Sequence, residues 1–290
     1  MADAGRKKVS IPSLLEKKRK KDPIIMVGVN DYPNALSADK VGIDIACVGD
    51  SGAMTVFGRD TTLNVPFVEE LIMVQAVKRG TNYALILADM PYMTYQVSAE
   101  EAIRNAGRFV SEGGADAMKC EGDKHTAKNI EAIIKAGIPV MGHIGLTPMR
   151  IVQIGGFRAQ GKTAEEARQL LDDALAMEDA GAFALLLEVV PEELAGYITE
   201  RLSIPVISLG AGSKCDGVHI IGGDLFYAYD RYLPRHSKVY VNIREIMEGV
   251  YTHYKEDIIN HVYPENKHTT FMKDGEYEKF LKIVTQTGIN

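Results

Sequence analysis

One feature restricts the fold of this chain more than any other. A short apolar run ends in a charged or hydrogen-bonding residue, a helical stretch follows, and the unit repeats. IDIACVG leads into Asp50 and Ser51, YALILA into Asp89, DAM into Lys119-Cys120-Glu121, IPVMG into His143, FALLL into Glu188, and IPVISLG into Ala211-Gly212. Apolar runs this short, alternating with helices, are the buried strands of a parallel sheet. Strands are expected at residues 24–30, 43–49, 83–88, 116–120, 138–143, 183–188 and 204–209, with a short eighth in VHIIGG. Eight β/α units in 290 residues predict an α/β protein, a closed (β/α)₈ TIM barrel rather than an open sheet. The expected organisation is an N-terminal helical extension over 1–23, a barrel domain over 24–260 and an irregular C-terminal tail over 261–290.

Local signals agree with that frame. Ser98 with Glu101, and Thr163 with Glu166, form capping-box pairs that start helices. Pro66 suits the first turn of another helix, and Gly113-Gly114 stops the one before strand four. Two connections, 51–65 and 145–163, are long for a compact domain and are therefore expected to be functional.

Composition narrows the class. A net charge of −6 argues against a dedicated nucleic-acid protein. The apolar runs are too short to span a membrane. The N-terminal stretch is charged and lacks the apolar centre of a secretory leader. Three cysteines without a CxxC pair do not form a disulfide framework or zinc knuckle, and they suit a reducing, cytoplasmic setting. The basic run Lys17–Lys21 reads as the solvated end of a short helix rather than a polyanion patch.

The chemistry lies at the strand ends, where barrels of this kind bind their ligands. Lys119 and Glu121 are two apart, so they share a face and point to the barrel axis, while Met118 and Cys120 face the helices. The ordinary alternative is an internal salt bridge from Lys119 to Glu121 or Glu188. Asp50 and Asp89 follow neighbouring strands. Two adjacent carboxylates repel unless neutralised, and with Glu121 they suggest a hard cation such as Mg²⁺, against the alternative that each caps a helix. Glu188 ends an all-apolar run, so desolvation should raise its pKa toward the range of a general base. His143 reads equally as a ligand contact and as a structural histidine. Gly210-Ala211-Gly212 resembles a backbone anion nest.

Taken together, the segments VGDS with GRDTTL, LADMPYMTY, NAGRFVSEGGADAMKCEG, GIPVMGHIGLTP, GGFRAQGK, AGAFALLLEVVPEELA and LSIPVISLGAGSKCDG resemble the ketopantoate hydroxymethyltransferase family, over residues 24–265. That family sits in the phosphoenolpyruvate mutase/isocitrate lyase superfamily. The resemblance implies a barrel enzyme using Mg²⁺ and 5,10-methylenetetrahydrofolate to hydroxymethylate 3-methyl-2-oxobutanoate. It implies a homo-oligomer, a decamer in many members, with no nucleic-acid or membrane partner. By position it makes Asp50, Asp89 and Glu121 the metal environment. It makes Ser51, Lys119 and His143, with Asp50 and Asp89, the substrate contacts, and Glu188 the catalytic base. Oligomerisation is expected to involve the N-terminal segment, whose Ile11–Leu15 apolar cluster is otherwise unexplained.

The sequence departs from the family pattern at several positions. Asn30 stands for a usual Tyr, Gly52-Ala53 for Leu-Gly, Cys120 for Leu, Asp123 for Gly, and Ser208-Leu209 for Gly-Ile. The reaction type is therefore better supported than the particular 2-oxo acid or one-carbon donor. A lyase or mutase of the wider superfamily is a rival, weakened because Cys120 should face away from the site. A non-catalytic barrel is a second, opposed by the retained charged set.

Overall fold

The computed structural model describes residues 5–230 and 233–286. The first four residues of the expected extension and the last four of the expected tail lie outside that range. Eight parallel strands close into a barrel in chain order. They are β1 Ile24–Gly28, β2 Ile45–Val48, β3 Leu85–Asp89, β4 Ala117–Glu121, β5 Val140–Gly145, β6 Ala184–Glu188, β7 Val206–Leu209 and β8 Gly217–Ile221, with β1 hydrogen-bonded to both β2 and β8. Each expected strand is present, shifted or shortened by a few residues.

Side-chain alternation along the strands builds two cores. Ile24, Met26, Ile45, Leu85, Leu87, Ala117, Met141, Leu186 and Ile207 point inward and fill the barrel. Ala46, Val48, Ile86, Ala88, Met118, Cys120, Leu185 and Leu187 point outward against the helices. The helices of this unit are α1 Ile11–Lys20, α2 Tyr32–Val41, α3 Ser51–Thr55, α4 Phe67–Gly80, α5 Ala99–Arg108, α6 Ala127–Lys135, α7 Ile151–Ile154, α8 Ala164–Asp179, α9 Glu192–Arg201 and α10 Gly222–Phe226, with α2, α4, α5, α6, α8 and α9 in the outer layer. The two long connections are thus partly helical, through α3 in one and α7 in the other. Ser98 caps α5 by accepting from Glu101 N, and Thr163 with Glu166 forms the full capping box of α8. Pro66 is the residue before α4 rather than its first turn. Gly114 takes φ +78° and ends the π-helical turn that prolongs α5, a conformation open to glycine at little cost.

The N-terminal segment differs from expectation. Leu14 is 1 % exposed and joins the inward core, with Val9 and Ile11 packed beside it. Lys17 pairs with Asp44 at 2.6 Å and Lys18 with Asp216 at 2.7 Å, residues just before β2 and β8. Helix α1 therefore plugs the barrel floor, so its apolar cluster is explained without a partner subunit. The basic run is a helix end whose lysines pin it to the strands.

The chain divides into two compact units, one reaching Val241 and the next starting at Asn242. The second carries α11 Ile243–Ile259 and α12 Glu276–Gln286. Helix α11 thus falls outside the barrel unit, earlier than the expected boundary at 260. Among the described residues no helix is long and apolar enough to cross a membrane.

Two departures from the family pattern lie against one another. Asn30, after β1, accepts a hydrogen bond from Gly49 N at 3.3 Å. A Cβ at Gly52 would lie 2.4 Å from Asn30 Cγ. The Asn30 amide occupies the space that a side chain at 52 would need, so Asn30 in this position requires glycine at 52.

Two stability predictions follow from this packing. Leu14→Ala should cost about 2–4 kcal/mol by leaving a cavity in the barrel floor. A denaturant midpoint unchanged from wild type would contradict the plug. Gly52→Ala should destabilise by about 1–3 kcal/mol through overpacking. Adding Asn30→Ala should recover most of that loss, and simple additivity of the two changes would refute the pairing.

Candidate active site

Inward alternation carries the apolar rungs of the barrel up into charged strand ends. Asp89 stands two residues above Leu87, Lys119 and Glu121 above Ala117, His143 above Met141, and Glu188 above Leu186. All line one cavity of ≈ 630 Å³, with Asp50 and Ser51 at the start of α3. Sheet register then selects neighbours: Asp89 is the cross-strand partner of Lys119, and Glu121 that of His143.

The Lys119 ammonium donates to Asp89 Oδ2 at 2.8 Å and faces His143 Nδ1 at 3.4 Å. Its ion partner is therefore Asp89, not Glu121 or Glu188, because register brings β3 and β4 side by side. Burial alone would lower the Lys119 pKa, but Asp89, then Asp50, Cys47 and Glu121 outweigh it and hold it well above the usual lysine value. Lys119 is a fixed cation.

Asp50 and Asp89 are brought together as expected. Asp89 Oδ2 also accepts from Asp50 N at 3.3 Å. Asp50 makes no side-chain cap for α3, and its Oδ2 is buried without a hydrogen-bond partner. Burial first, and then Asp89, push the Asp50 pKa up to about 7. That is the signature of a carboxylate lacking a counter-charge.

Glu121 is in the same cavity but is turned another way. Its Oε2 accepts from Met149 N at 3.0 Å, and Oε1 lies 3.7 Å from His143 Nδ1. Burial, then Asp50, raise its pKa well above the carboxylate range. Among the described residues, no three His, Cys, Asp or Glu side chains converge as a metal cage. The expected three-carboxylate set is thus assembled only as the Asp50–Asp89 pair, with Glu121 nearby.

Glu188 and His143 form the opposite wall. Burial lifts the Glu188 carboxyl to about 7, against the pull of Lys119 and His236. Burial, then Lys119, hold the His143 pKa well below its usual value, so the ring is neutral. His143 Nε2 lies 3.0 Å from Glu188 Oε2, but the approach is out of line, and Nε2 has no hydrogen bond in this state. The contact is close packing of a neutral ring on an acid rather than a salt bridge. The next residue, Val189, takes φ +49°, rare for a β-branched side chain, and marks local strain beside Glu188.

Several cavity features escape sequence reading. Cys47 points inward and donates weakly to Asp89 Oδ1 at 3.8 Å. Beside the cavity, Glu70 on α4 is fully buried with both carboxyl oxygens unpartnered, and burial followed by Asp89 and Asp50 raise its pKa well above the carboxylate range. His219 and His236 also line the cavity. Only inward alternation in the weak eighth strand could have flagged His219; nothing local flags the others. The glycine turn after β7 is filled by the chain itself. Ala211 N is bonded to Ser208 Oγ, and Ser213 N to Glu192 Oε1, so it does not form the expected open anion nest.

Buried lysine, paired acids and a desolvated carboxyl together allow proton abstraction next to a stabilised anion. Comparisons with known proteins give this chemistry a family. Residues 8–266 match the profile of ketopantoate hydroxymethyltransferase. The chain is 42% identical over 274 residues to 3-methyl-2-oxobutanoate hydroxymethyltransferase of Syntrophobacter fumaroxidans, covering 94% of this chain and 97% of the relative. It is 43% identical over 265 residues to the enzyme of the same name from Carboxydothermus hydrogenoformans, covering 91% and 96%. Its fold is similar to that of 2,3-dimethylmalate lyase, a PEP mutase/isocitrate lyase superfamily member, with TM-score 0.56, 16% identity and coverage of 96% and 99%. The chain belongs to the ketopantoate hydroxymethyltransferase family and is an enzyme of the transferase class.

Proposed function

We propose that the chain transfers a one-carbon unit from 5,10-methylenetetrahydrofolate to 3-methyl-2-oxobutanoate, giving 2-dehydropantoate, as a cytoplasmic homo-oligomer. The observation that carries this reading is the opposition, in one cavity, of a desolvated Glu188 to the Lys119–Asp89–Asp50 cluster.

A divalent cation fits the cluster. The buried, unpartnered Asp50 Oδ2 and the adjacent Asp89 offer hard oxygen donors. Mg²⁺ is commonly held by one or two carboxylates, with substrate and water completing its shell. Asp50 and Asp89 would hold it, with Glu121 in its surroundings. Bound there, it would polarise the 2-oxo group and acidify the adjoining C–H.

The chain's own residues supply the rest. Ionised Glu188 takes the proton from the carbon next to the ketone. Neutral His143 packs on Glu188 and cannot compete as a cation for its charge. Lys119, held in place by Asp89, compensates the negative charge left on the oxo acid. Ser51, at the first turn of α3, contacts the substrate beside Asp50. The new C–C bond forms to the one-carbon unit and its two C–N bonds to folate break; water supplies the hydroxyl group, its other proton and the one taken by Glu188 pass to the folate nitrogens, and tetrahydrofolate leaves.

Two outcomes test this reading. Asp89→Asn should weaken Mg²⁺ binding by at least about tenfold, read by calorimetry, because one of two hard ligands is lost. Unchanged affinity would place the ion elsewhere. Glu188→Gln should slow exchange of the substrate C–H into deuterated water by roughly 10²–10⁴-fold without folate present. In wild type with saturating Mg²⁺, exchange should rise with pH and level off above about 7, because Glu188 acts only once its proton has left. A wild-type rate that falls across that pH window, or a Gln variant exchanging at the wild-type rate, would remove Glu188 from the role. Running the exchange on a panel of 2-oxo acids identifies the substrate directly.

A further inference from the structure

The groups given a task above occupy only the deep end of the cavity. Asp89, Lys119 and His143 are 3%, 7% and 1% exposed, whereas Phe157 is 70% exposed and Arg158 and Arg235 are exposed with it. All six line the same ≈ 630 Å³ space. The cavity therefore runs from a buried, acid-rich end to an open rim that carries two guanidinium groups and an aromatic ring. Cavities of several hundred Å³ are of a size for drug-sized ligands. An oxo acid of a few carbons fills only part of this one.

Two segments build the rim. Helix α7 stops at Ile154, and Gly155 and Gly156, at φ +81° and +111°, turn the chain so that Phe157 and Arg158 reach the cavity. Arg235 comes from the segment after α10. Neither arginine is spent on holding the fold. Arg59, Arg108 and Arg150 pair with Glu69, Glu112 and Asp123. Arg158 offers only its main-chain carbonyl, which accepts from Gln160 Nε2 at 2.9 Å, and among the described residues neither Arg158 nor Arg235 has an ion pair. Two carboxylates also line the cavity, but they are engaged. Asp224 accepts from Ser237 Oγ at 2.5 Å and from the Tyr229 hydroxyl, and Asp60 has a partner of its own.

Paired guanidinium groups beside an exposed ring suit a ligand with carboxylates attached to an aromatic group, since arginine forks match carboxylate geometry. The donor in the reaction above has that chemistry. Its one-carbon unit bridges two nitrogens, one of them on the aminobenzoyl ring, and a glutamate with two carboxylates hangs from the far side of that ring. With the one-carbon unit over the oxo acid at the deep end, ring and glutamate extend toward the mouth. Resting on the transfer reaction proposed above, we propose that Arg158 and Arg235 bind the glutamyl carboxylates of the folate donor while Phe157 packs on its aminobenzoyl ring.

The test varies the donor as well as the protein. With Mg²⁺ and oxo acid saturating, KM is measured for 5,10-methylenetetrahydrofolate and for 5,10-methylenetetrahydropteroate, which keeps the ring and lacks the glutamate. Wild type should show a KM about tenfold higher for the pteroate donor, since each exposed ion pair is worth about threefold. Arg158→Gln and Arg235→Gln should each raise the folate KM about threefold, and together about tenfold. The double variant should match wild type on the pteroate donor, and its KM for the oxo acid should stay within about twofold. Phe157→Ala should raise KM for both donors alike, about fivefold, because both carry the ring. A wild type that uses the two donors equally would overturn the assignment. So would a double variant that loses as much with pteroate as with folate, or a Phe157 variant unchanged on both. A wild type that exchanges the oxo-acid proton but uses neither donor would refute the folate reaction itself.

Discussion

Charge balance around Lys119 is the constraint on which the site depends. Its ammonium is ion-paired to Asp89, and it lowers the pKa of Asp50, Glu70, Glu121 and Glu188, each of which burial pushes upward. One buried cation cannot neutralise so many buried acids. The structure answers differently for each: Asp89 is ion-paired to Lys119, the Glu70 pKa is raised well above the carboxylate range, and Asp50 keeps an unpartnered oxygen where a metal cation would complete the balance. Buried charges persist only when paired, hydrogen-bonded or neutralised, and Asp89 meets that condition through Lys119.

Desolvation also separates the roles of chemically identical groups. Asp89 and Glu188 both end strands and both face the axis, yet Asp89 receives an ammonium and Glu188 receives a neutral ring. The first is committed to holding charge. The second is poised near neutrality and free to exchange a proton. Neutral His143 makes this possible, because an imidazolium beside Glu188 would draw its pKa down and weaken it as a base. Burial, and after it the charge of Lys119, hold the His143 pKa down, so the lysine bears on both walls of the cavity.

The departures from the family pattern fall mainly around this machinery rather than within it. Asn30 and Gly52 lie against each other. Cys120 points outward into the helix layer, and Asp123 binds Arg150 and the backbone of His125 and Thr126. Ser208 secures the turn after β7. Leu209 is the exception, since it reaches the cavity wall.

Strand number, strand order and the inward face of each strand were legible in the sequence, because they depend on local periodicity: alternate residues of a strand face alternate sides whatever surrounds them. For the same reason the strand-end positions of Asp50, Asp89, Lys119, Glu121, His143 and Glu188 are legible in the sequence. Which of them would touch was not legible. Lys119 meets Asp89 through the β3–β4 register, residues 30 positions apart in sequence, while Glu121, two positions away, turns to Met149 instead. Closure of the barrel decided the rest. It drew Leu14 into the floor, set α11 outside the first compact unit, and brought His219 on a weak eighth strand to the same cavity as Lys119. Contacts between distant segments are chosen by register and by competition for a shared volume, and neither is written in any short stretch of chain.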